Sequence, residues 1–286
     1  MAELVSLGKG RNRAVVSLLG AELQTWSVDG ADLLWRGDPS FWDQRSPLLF
    51  PVCGWTRGGV ARVGGRSFPL GLHGFASRSL FELAESRPER ARFVLCDSPE
   101  TRAVYPFKFE LAATYVLGAR SLEVEIEVHN SGAGEMPYAA GLHPGFRIVK
   151  GPESRLAFDQ AESPDVPVIG PGGLFSLRRR SAPLEEGRLL RLEDDLFSRE
   201  ALCFLDVRSR GLRLETARSP ALRISWTNFS NIVVWSRVGA PFACVEAWTG
   251  QGDPEGFEGD LFEKPGMSIL APGERRRHGY QISLEQ

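Results

Sequence analysis

Leu122 to Val128 reads L-E-V-E-I-E-V, with Leu122, Val124, Ile126 and Val128 alternating with Glu123, Glu125 and Glu127. Strict period-two alternation places one set of side chains on a buried face and the other on a solvated face. That is a β-strand, and the three glutamates read as its wet surface. Working outward, similar short runs recur in both directions. Before it come Arg13–Leu19, Ala31–Trp35, Phe81–Glu85, Ala91–Cys96 and Phe109–Val116. After it come Leu202–Val207, Leu212–Thr216, Leu222–Thr227, Ile232–Ser236 and Tyr280–Leu284. Gly, Pro and Asp clusters separate them, and no stretch carries a helical period over three turns. Regularly spaced strands without intervening helices point to an all-β chain, a large antiparallel β-sandwich or barrel. No repeat or linker divides residues 1–286, so a single domain is expected, with Pro164–Gly173 as a long surface loop.

Composition narrows the function classes. The net charge of −2 over 286 residues argues against nucleic acid or an anionic membrane as partner. No run is long enough to span a bilayer, and the first residues lack a signal-peptide pattern. The four cysteines, Cys53, Cys96, Cys203 and Cys244, show no C-x-x-C spacing and read as packed, reduced thiols of a cytoplasmic protein.

Two features carry chemistry. Glu246 is the one carboxylate in the apolar and aromatic run from Ala240 to Trp248. A carboxylate near a strand end beside a tryptophan is partly desolvated, which raises its pKa and makes it a usable base near neutral pH. A glutamate on the wet side of an edge strand fits the same pattern. Of the four histidines, His129 reads as a turn-side residue and His278, after three arginines, as a surface residue. His73 and His143 sit in G-L-H-G-F (Gly71–Phe75) and G-L-H-P-G-F (Gly141–Phe146), where tight turns would aim the imidazoles out of strand ends. Two such histidines facing a carboxylate form an acid/base constellation. Structural histidines satisfy the spacing equally, and a metal site of His73, His143 and Glu246 is the third option.

Five ordered strings carry a family resemblance: L-F-P-V-C-G (Leu49–Gly54), F-P-L-G-L-H-G-F-A (Phe68–Ala76), Y-P-F-K-F-E-L (Tyr105–Leu111), G-L-H-P-G-F, and C-V-E-A-W-T-G (Cys244–Gly250). Together they resemble the aldose 1-epimerase (galactose mutarotase-like) superfamily, closest to its LacX-type branch. The resemblance implies a β-sandwich that binds a sugar on its concave face and uses no metal or organic cofactor. The assembly expected is a monomer or homodimer. It implies His143 as the acid that protonates the ring oxygen, Glu246 as the base for the anomeric hydroxyl, and His73 as a second histidine on the ring-oxygen side. Asp194, in D-D-L-F, matches a position that accepts hydrogen bonds from sugar hydroxyls, with Asp195 as its competitor. The chain departs from the branch at Gly54-Trp55, where a Gly-Arg pair is usual, and at Ser77, with Arg78 one position late. Arg57 and Arg78 are therefore candidate binders of sugar hydroxyls or of a phosphate or sulfonate group. Trp55, Trp248 and Phe75 are candidate stacking surfaces. Expected function is anomer interconversion of a hexose or related aldose. A phosphorylated or sulfonated hexose, or sugar binding without turnover, are the alternatives.

Overall fold

A computed structural model describes residues 3–217 and 219–285. The alternating segment lies in the strand Ser121–Asn130, paired antiparallel with Phe109–Leu117 on one side and Arg275–Leu284 on the other. These are central members of a ten-stranded sheet. Its order is Leu184–Glu185, Leu189–Arg191, Arg155–Phe158, Gly211–Thr216, Ser219–Thr227, Arg275–Leu284, Ser121–Asn130, Phe109–Leu117, Arg90–Cys96, Glu82–Arg87. Leu122, Val124, Ile126 and Val128 all face the core. Each such side chain contributes about 1.5–3 kcal/mol by leaving water.

The expectation that all three glutamates are wet fails at Glu127, which is buried. Its carboxylate accepts hydrogen bonds from Arg277 (2.6 Å) and Arg275 (3.2 Å) on the adjacent strand and from Arg92 (3.0 Å) two strands away. Burial alone would raise its pKa; the bonds from Arg277 and Arg92 outweigh that and hold it below the ordinary value. Long arginine stems cover the carboxylate, which a binary pattern of one strand does not reveal.

The second main layer is built from Leu202–Phe204, Asn231–Trp235, Phe242–Trp248, Gly141–Leu142 and Leu48–Leu49, with Gly145–Arg147 also paired to Phe242–Trp248. Its inner face packs against the ten-stranded sheet, and one apolar cluster draws on residues from Val5 to Leu284. Tyr280 of the large sheet donates its hydroxyl to the Val245 carbonyl of the smaller one, at 2.7 Å, pinning the layers together. A four-stranded sheet, Leu4–Lys9, Asn12–Ser17, Leu23–Val28 and Ala31–Asp32, covers one flank. All strand pairs among the described residues are antiparallel, and the fold is an antiparallel β-sandwich.

Two local departures from the sequence reading have clear causes. Pro99–Val104 is a short α-helix fixed by a capping box, in which Ser98 accepts from the Thr101 amide and Thr101 returns a bond to the Ser98 amide. Six residues are too few for a periodic signal. The Pro164–Gly173 segment is half of a hairpin: Asp165–Ile169 pairs with Phe175–Ser181. Prolines and glycines mark its turn and irregular register, and they mask the strand between them.

Candidate active site

The strand Phe242–Trp248 is buried along its whole length. Ala243, Val245 and Ala247 face the main core, while Phe242, Cys244, Glu246 and Trp248 face the other way. This double burial explains why the segment reads as an unbroken apolar run. On the same outward face, register places Val233 opposite Glu246 and Cys203 opposite Val233. On the other side the pairing is interrupted at His143-Pro144, between Gly141–Leu142 and Gly145–Arg147. The interruption brings the His143 imidazole over the strand at Glu246.

A cavity of about 400 Å³ opens on this face, within the range of small-molecule sites. His73, His143, Glu246, Trp55 and Trp248 all line it. His143 Nε2 lies 3.3 Å from Glu246 Oε1. The other carboxylate oxygen, Oε2, accepts from Trp248 Nε1–H at 2.9 Å. The expectation of a glutamate desolvated by a tryptophan holds, and Glu246 lies on a central strand, not an edge. Burial pushes its pKa well up, against the smaller lowering effect of the Trp248 bond. His143 is enclosed by aromatic rings: Trp42 lies 4.9 Å away in a tilted stack, and Trp235 and His73 meet it edge-on. Burial holds its pKa down at about 3. Burial thus favours the uncharged form of each group, the carboxyl by an upward push and the imidazole by a downward one.

His73 is set by its backbone. It adopts φ +58°, the left-handed region, and Gly74 follows at φ +71° with its α-carbon packed against the backbone of Phe50. A Cβ at Gly74 would lie 2.2 Å from the Phe50 carbonyl oxygen, so only glycine closes this turn. His73 Nδ1 accepts from the Gly54 amide at 3.1 Å. An amide can only donate, so Nδ1 carries no hydrogen and the neutral ring keeps its proton on Nε2. Burial first, then His143 and Arg78, lower its pKa well below the usual value. The ring is thus a fixed neutral donor.

The remaining expected residues stand elsewhere. Asp194 is held by Lys150 Nζ at 2.8 Å and by the Gly239 amide at 2.9 Å, outside the cavity lining. Asp195 lies next to it in the same 3-10 turn. Arg57 pairs with Glu258 at 2.7 Å, and Arg78 donates to the Gly74 carbonyl at 2.6 Å. Neither arginine lines the cavity. Phe75 packs with Phe50 and Phe109 in the core. His278, expected at the surface, is buried, with Nδ1–H donated to the Asn228 carbonyl (2.7 Å) and Nε2 facing the Tyr138 hydroxyl (2.8 Å).

Several lining residues gave no sequence signal: Trp42, Gln44, Trp235, Arg237 and Glu200 among them. Beneath the wall is a buried ion pair, Lys264 Nζ to Asp253 Oδ1. Asp253 Oδ2 also accepts the Arg57 amide at 2.7 Å, and the Asp253 amide donates to the Trp55 carbonyl at 2.8 Å. The pair therefore anchors the loop that presents Trp55. As for metals, His143, Cys244 and Glu246 each bring a ligand atom within 4.8 Å of the others. Burial pushes the Cys244 thiol pKa well up. His73 is not in that group. Among the described residues no helix is long and apolar enough to cross a membrane.

The aldose 1-epimerase family profile matches residues 3–283. The chain belongs to the aldose 1-epimerase family. It is 32% identical over 271 residues to the LacX protein of Lactococcus lactis, covering 90% of each chain. Among solved structures it resembles a galactose mutarotase-like protein from Lactobacillus casei, with TM-score 0.94 and 26% identity over 99% of this chain and 100% of that one. A galactose mutarotase related enzyme from Lactobacillus acidophilus aligns with TM-score 0.92 and 27% identity, over 99% and 98% of the two chains. The fold of this aldose 1-epimerase family member is accordingly galactose mutarotase-like, and the family is one of isomerases that bind sugars.

Proposed function

We propose that the protein is an aldose 1-epimerase that interconverts the α and β anomers of a hexose or a closely related aldose. The observation that carries this reading is the His143–Glu246 pair, 3.3 Å apart in an aromatic-walled cavity. Anomer exchange opens the hemiacetal to the free aldehyde, rotates one C–C bond and closes the ring on the other face. Opening requires one proton taken from the O1 hydroxyl and one delivered to the ring oxygen. Both oxygens are bonded to C1, so a base and an acid standing side by side can serve them together.

A proton held on the uncharged Glu246 makes this economical. Moving it from Glu246 to His143 turns the resting neutral pair into a carboxylate base and an imidazolium acid without exchange with solvent. Glu246 then takes the O1 proton while His143 protonates the ring oxygen, and closure reverses the transfers. The Trp248 N–H stabilises the carboxylate form. His73 Nε2–H offers a neutral hydrogen bond to the ring-oxygen side. Trp55 and Trp248 supply the apolar surface against which a pyranose face packs. A positioned acid and base each contribute roughly 10²- to 10⁴-fold.

Arg57 and Arg78, the candidate binders of an anionic group, stand outside the cavity lining, whereas Arg237 lies in it together with the Glu200 and Glu246 carboxylates. A neutral sugar is the better match. Polarimetry of freshly dissolved α-glucose and α-galactose with wild-type protein tests the reading. Acceleration of either supports it. Unchanged rates across a panel of aldoses and aldose phosphates refute it, and tight sugar binding without acceleration would assign a binding role instead.

A further inference from the structure

The neutral donor at His73 depends on one backbone amide, and that amide is held from outside the cavity. Gly54 and His73 bond to each other twice. The Gly54 amide donates to His73 Nδ1 at 3.1 Å, and the His73 amide donates to the Gly54 carbonyl at 3.0 Å. Behind Gly54 runs the backbone of Gly252 and Asp253. A Cβ at Gly54 would lie 2.6 Å from the Gly252 α-carbon, so the two segments touch with no room for a side chain. The Asp253 amide donates to the Trp55 carbonyl at 2.8 Å, and Asp253 Oδ2 accepts the Arg57 amide at 2.7 Å. The segment that carries the Gly54 amide is thus tied down at Gly54, Trp55 and Arg57 by two consecutive residues.

The carboxylate that takes the Arg57 amide is buried, and so is its cation: Asp253 is 2% exposed and Lys264 3%. Neither lines the cavity. Lys264 Nζ bonds Asp253 Oδ1 and leaves Oδ2 to the amide. A buried ion pair is often no more stabilising than packed apolar side chains of equal volume, so what this one supplies is geometry. The geometry ends at His73. A neutral imidazole can carry its proton on either nitrogen, and the Gly54 N–H, which can only donate, selects the form with Nδ1 bare. With that amide displaced, the form protonated on Nδ1 becomes accessible. Nε2 then turns a lone pair toward a sugar oxygen, and no hydrogen bond forms.

We propose that Asp253, neutralised by Lys264, is a positioning residue: through the Gly54–Arg57 segment it holds the Gly54 amide on His73 Nδ1 and so keeps the His73 proton on Nε2. The kinetic consequence rests on the mutarotase reading; the tautomer does not. Arg57→Pro tests the tie with the Lys264–Asp253 pair left in place. Arg57 opens a 3-10 turn, and Thr56 before it is extended at φ −94° and ψ 142°, so proline fits the backbone. Proline deletes the amide that Asp253 accepts, whereas Arg57→Ala removes the same guanidinium and keeps the amide. Lys264→Met combined with Asp253→Ala removes the acceptor without stranding a charge, and cuts the tie from its other end. Heteronuclear NMR of the histidine rings reads which nitrogen carries hydrogen, and anomeric exchange of an accelerated aldose reads kcat/KM. Wild type and Arg57→Ala should show a single His73 form, Nδ1 bare and Nε2 protonated, with equal kcat/KM. Arg57→Pro and the double variant should show both tautomers and a kcat/KM lower by roughly three- to tenfold, the worth of one neutral hydrogen bond. Hydrogen on Nδ1 in wild type overturns the proposal. So does an unchanged single tautomer in both Arg57→Pro and the double variant, whatever happens to the rate, because the tie then acts on packing alone. A tautomer shift in those two variants, with no aldose accelerated by wild type, supports the positioning role and sinks the mutarotase reading.

Discussion

Replacing Trp248 with Phe keeps an aromatic ring in the cavity wall and deletes one hydrogen-bond donor. Trp248 Nε1–H lies 2.9 Å from Glu246 Oε2, and both side chains are buried. A hydrogen bond to a charged group contributes about 1.5–3 kcal/mol, and one to a neutral group about 0.5–1.5 kcal/mol. The carboxylate form of Glu246 therefore loses roughly 1–1.5 kcal/mol more than the protonated form. At about 1.36 kcal/mol per unit, that difference raises the Glu246 pKa by about one unit. The sign follows from the bond's role: it favours the charged form, so its loss adds to the upward push of burial. In the pair account, the alkaline limb of the pH–rate profile reports loss of the proton shared by Glu246 and His143. That limb should move up by about one unit. The plateau should fall roughly tenfold, because the carboxylate–imidazolium form becomes less accessible. NMR exchange rates measured from about pH 5 to about pH 10 read both quantities. A lower plateau with an unmoved limb would mean that Trp248 acts by packing alone. A limb shifted downward would refute the assignment of the proton to this pair.

Two further predictions concern stability. His278 is buried neutral with its pKa lowered to about 4, so below pH 6.5 the unfolded chain binds a proton that the native state refuses. Stability conferred by this site is full above 6.5 and declines as pH falls toward 4, by up to about 1.4 kcal/mol per unit. His73 and His143 act in the same sense, whereas Glu246, with its raised pKa, acts oppositely above 4.5. The readout is therefore the difference in urea-unfolding slope between pH 7 and 5 for wild type and His278→Gln: the variant should be flatter, and identical slopes would contradict the buried-neutral assignment. Lys264→Met strands the Asp253 carboxylate beneath the Trp55 loop and should cost about 3–5 kcal/mol in urea unfolding. Adding Asp253→Asn should recover much of that loss, and a single variant as stable as wild type would show that the pair carries no such weight.

The strand pattern and the residues that meet in the cavity, His73, His143 and Glu246, were legible for a common reason: each left a local mark. Leu122–Val128 alternates, and Glu246 is a lone charge in an apolar run. His73 and His143 sit beside the glycine and proline that shape their turns. What escaped reading was set by partners distant in the chain. Glu127 is dry because Arg92, Arg275 and Arg277 converge on it from two other strands. Asp194 has the right residue type in a plausible place, yet Lys150 and the Gly239 amide hold it away from the cavity. Arg57 and Arg78, displaced from the positions where the family branch carries arginine, lie outside the cavity lining, each bonded to a nearby acceptor. Trp42 and Glu200 gave no signal, since a loop residue's role depends on which wall the loop reaches.

The central claim is that Glu246 works with His143 as a proton pair, and Glu246→Gln tests it most directly. The amide keeps an oxygen for the Trp248 N–H and an N–H for His143 Nε2, so urea stability should not fall. NMR exchange of α- and β-glucose, measured on the folded variant, should slow by roughly 10²- to 10⁴-fold relative to wild type. A folded Gln variant that exchanges anomers at the wild-type rate would contradict the account.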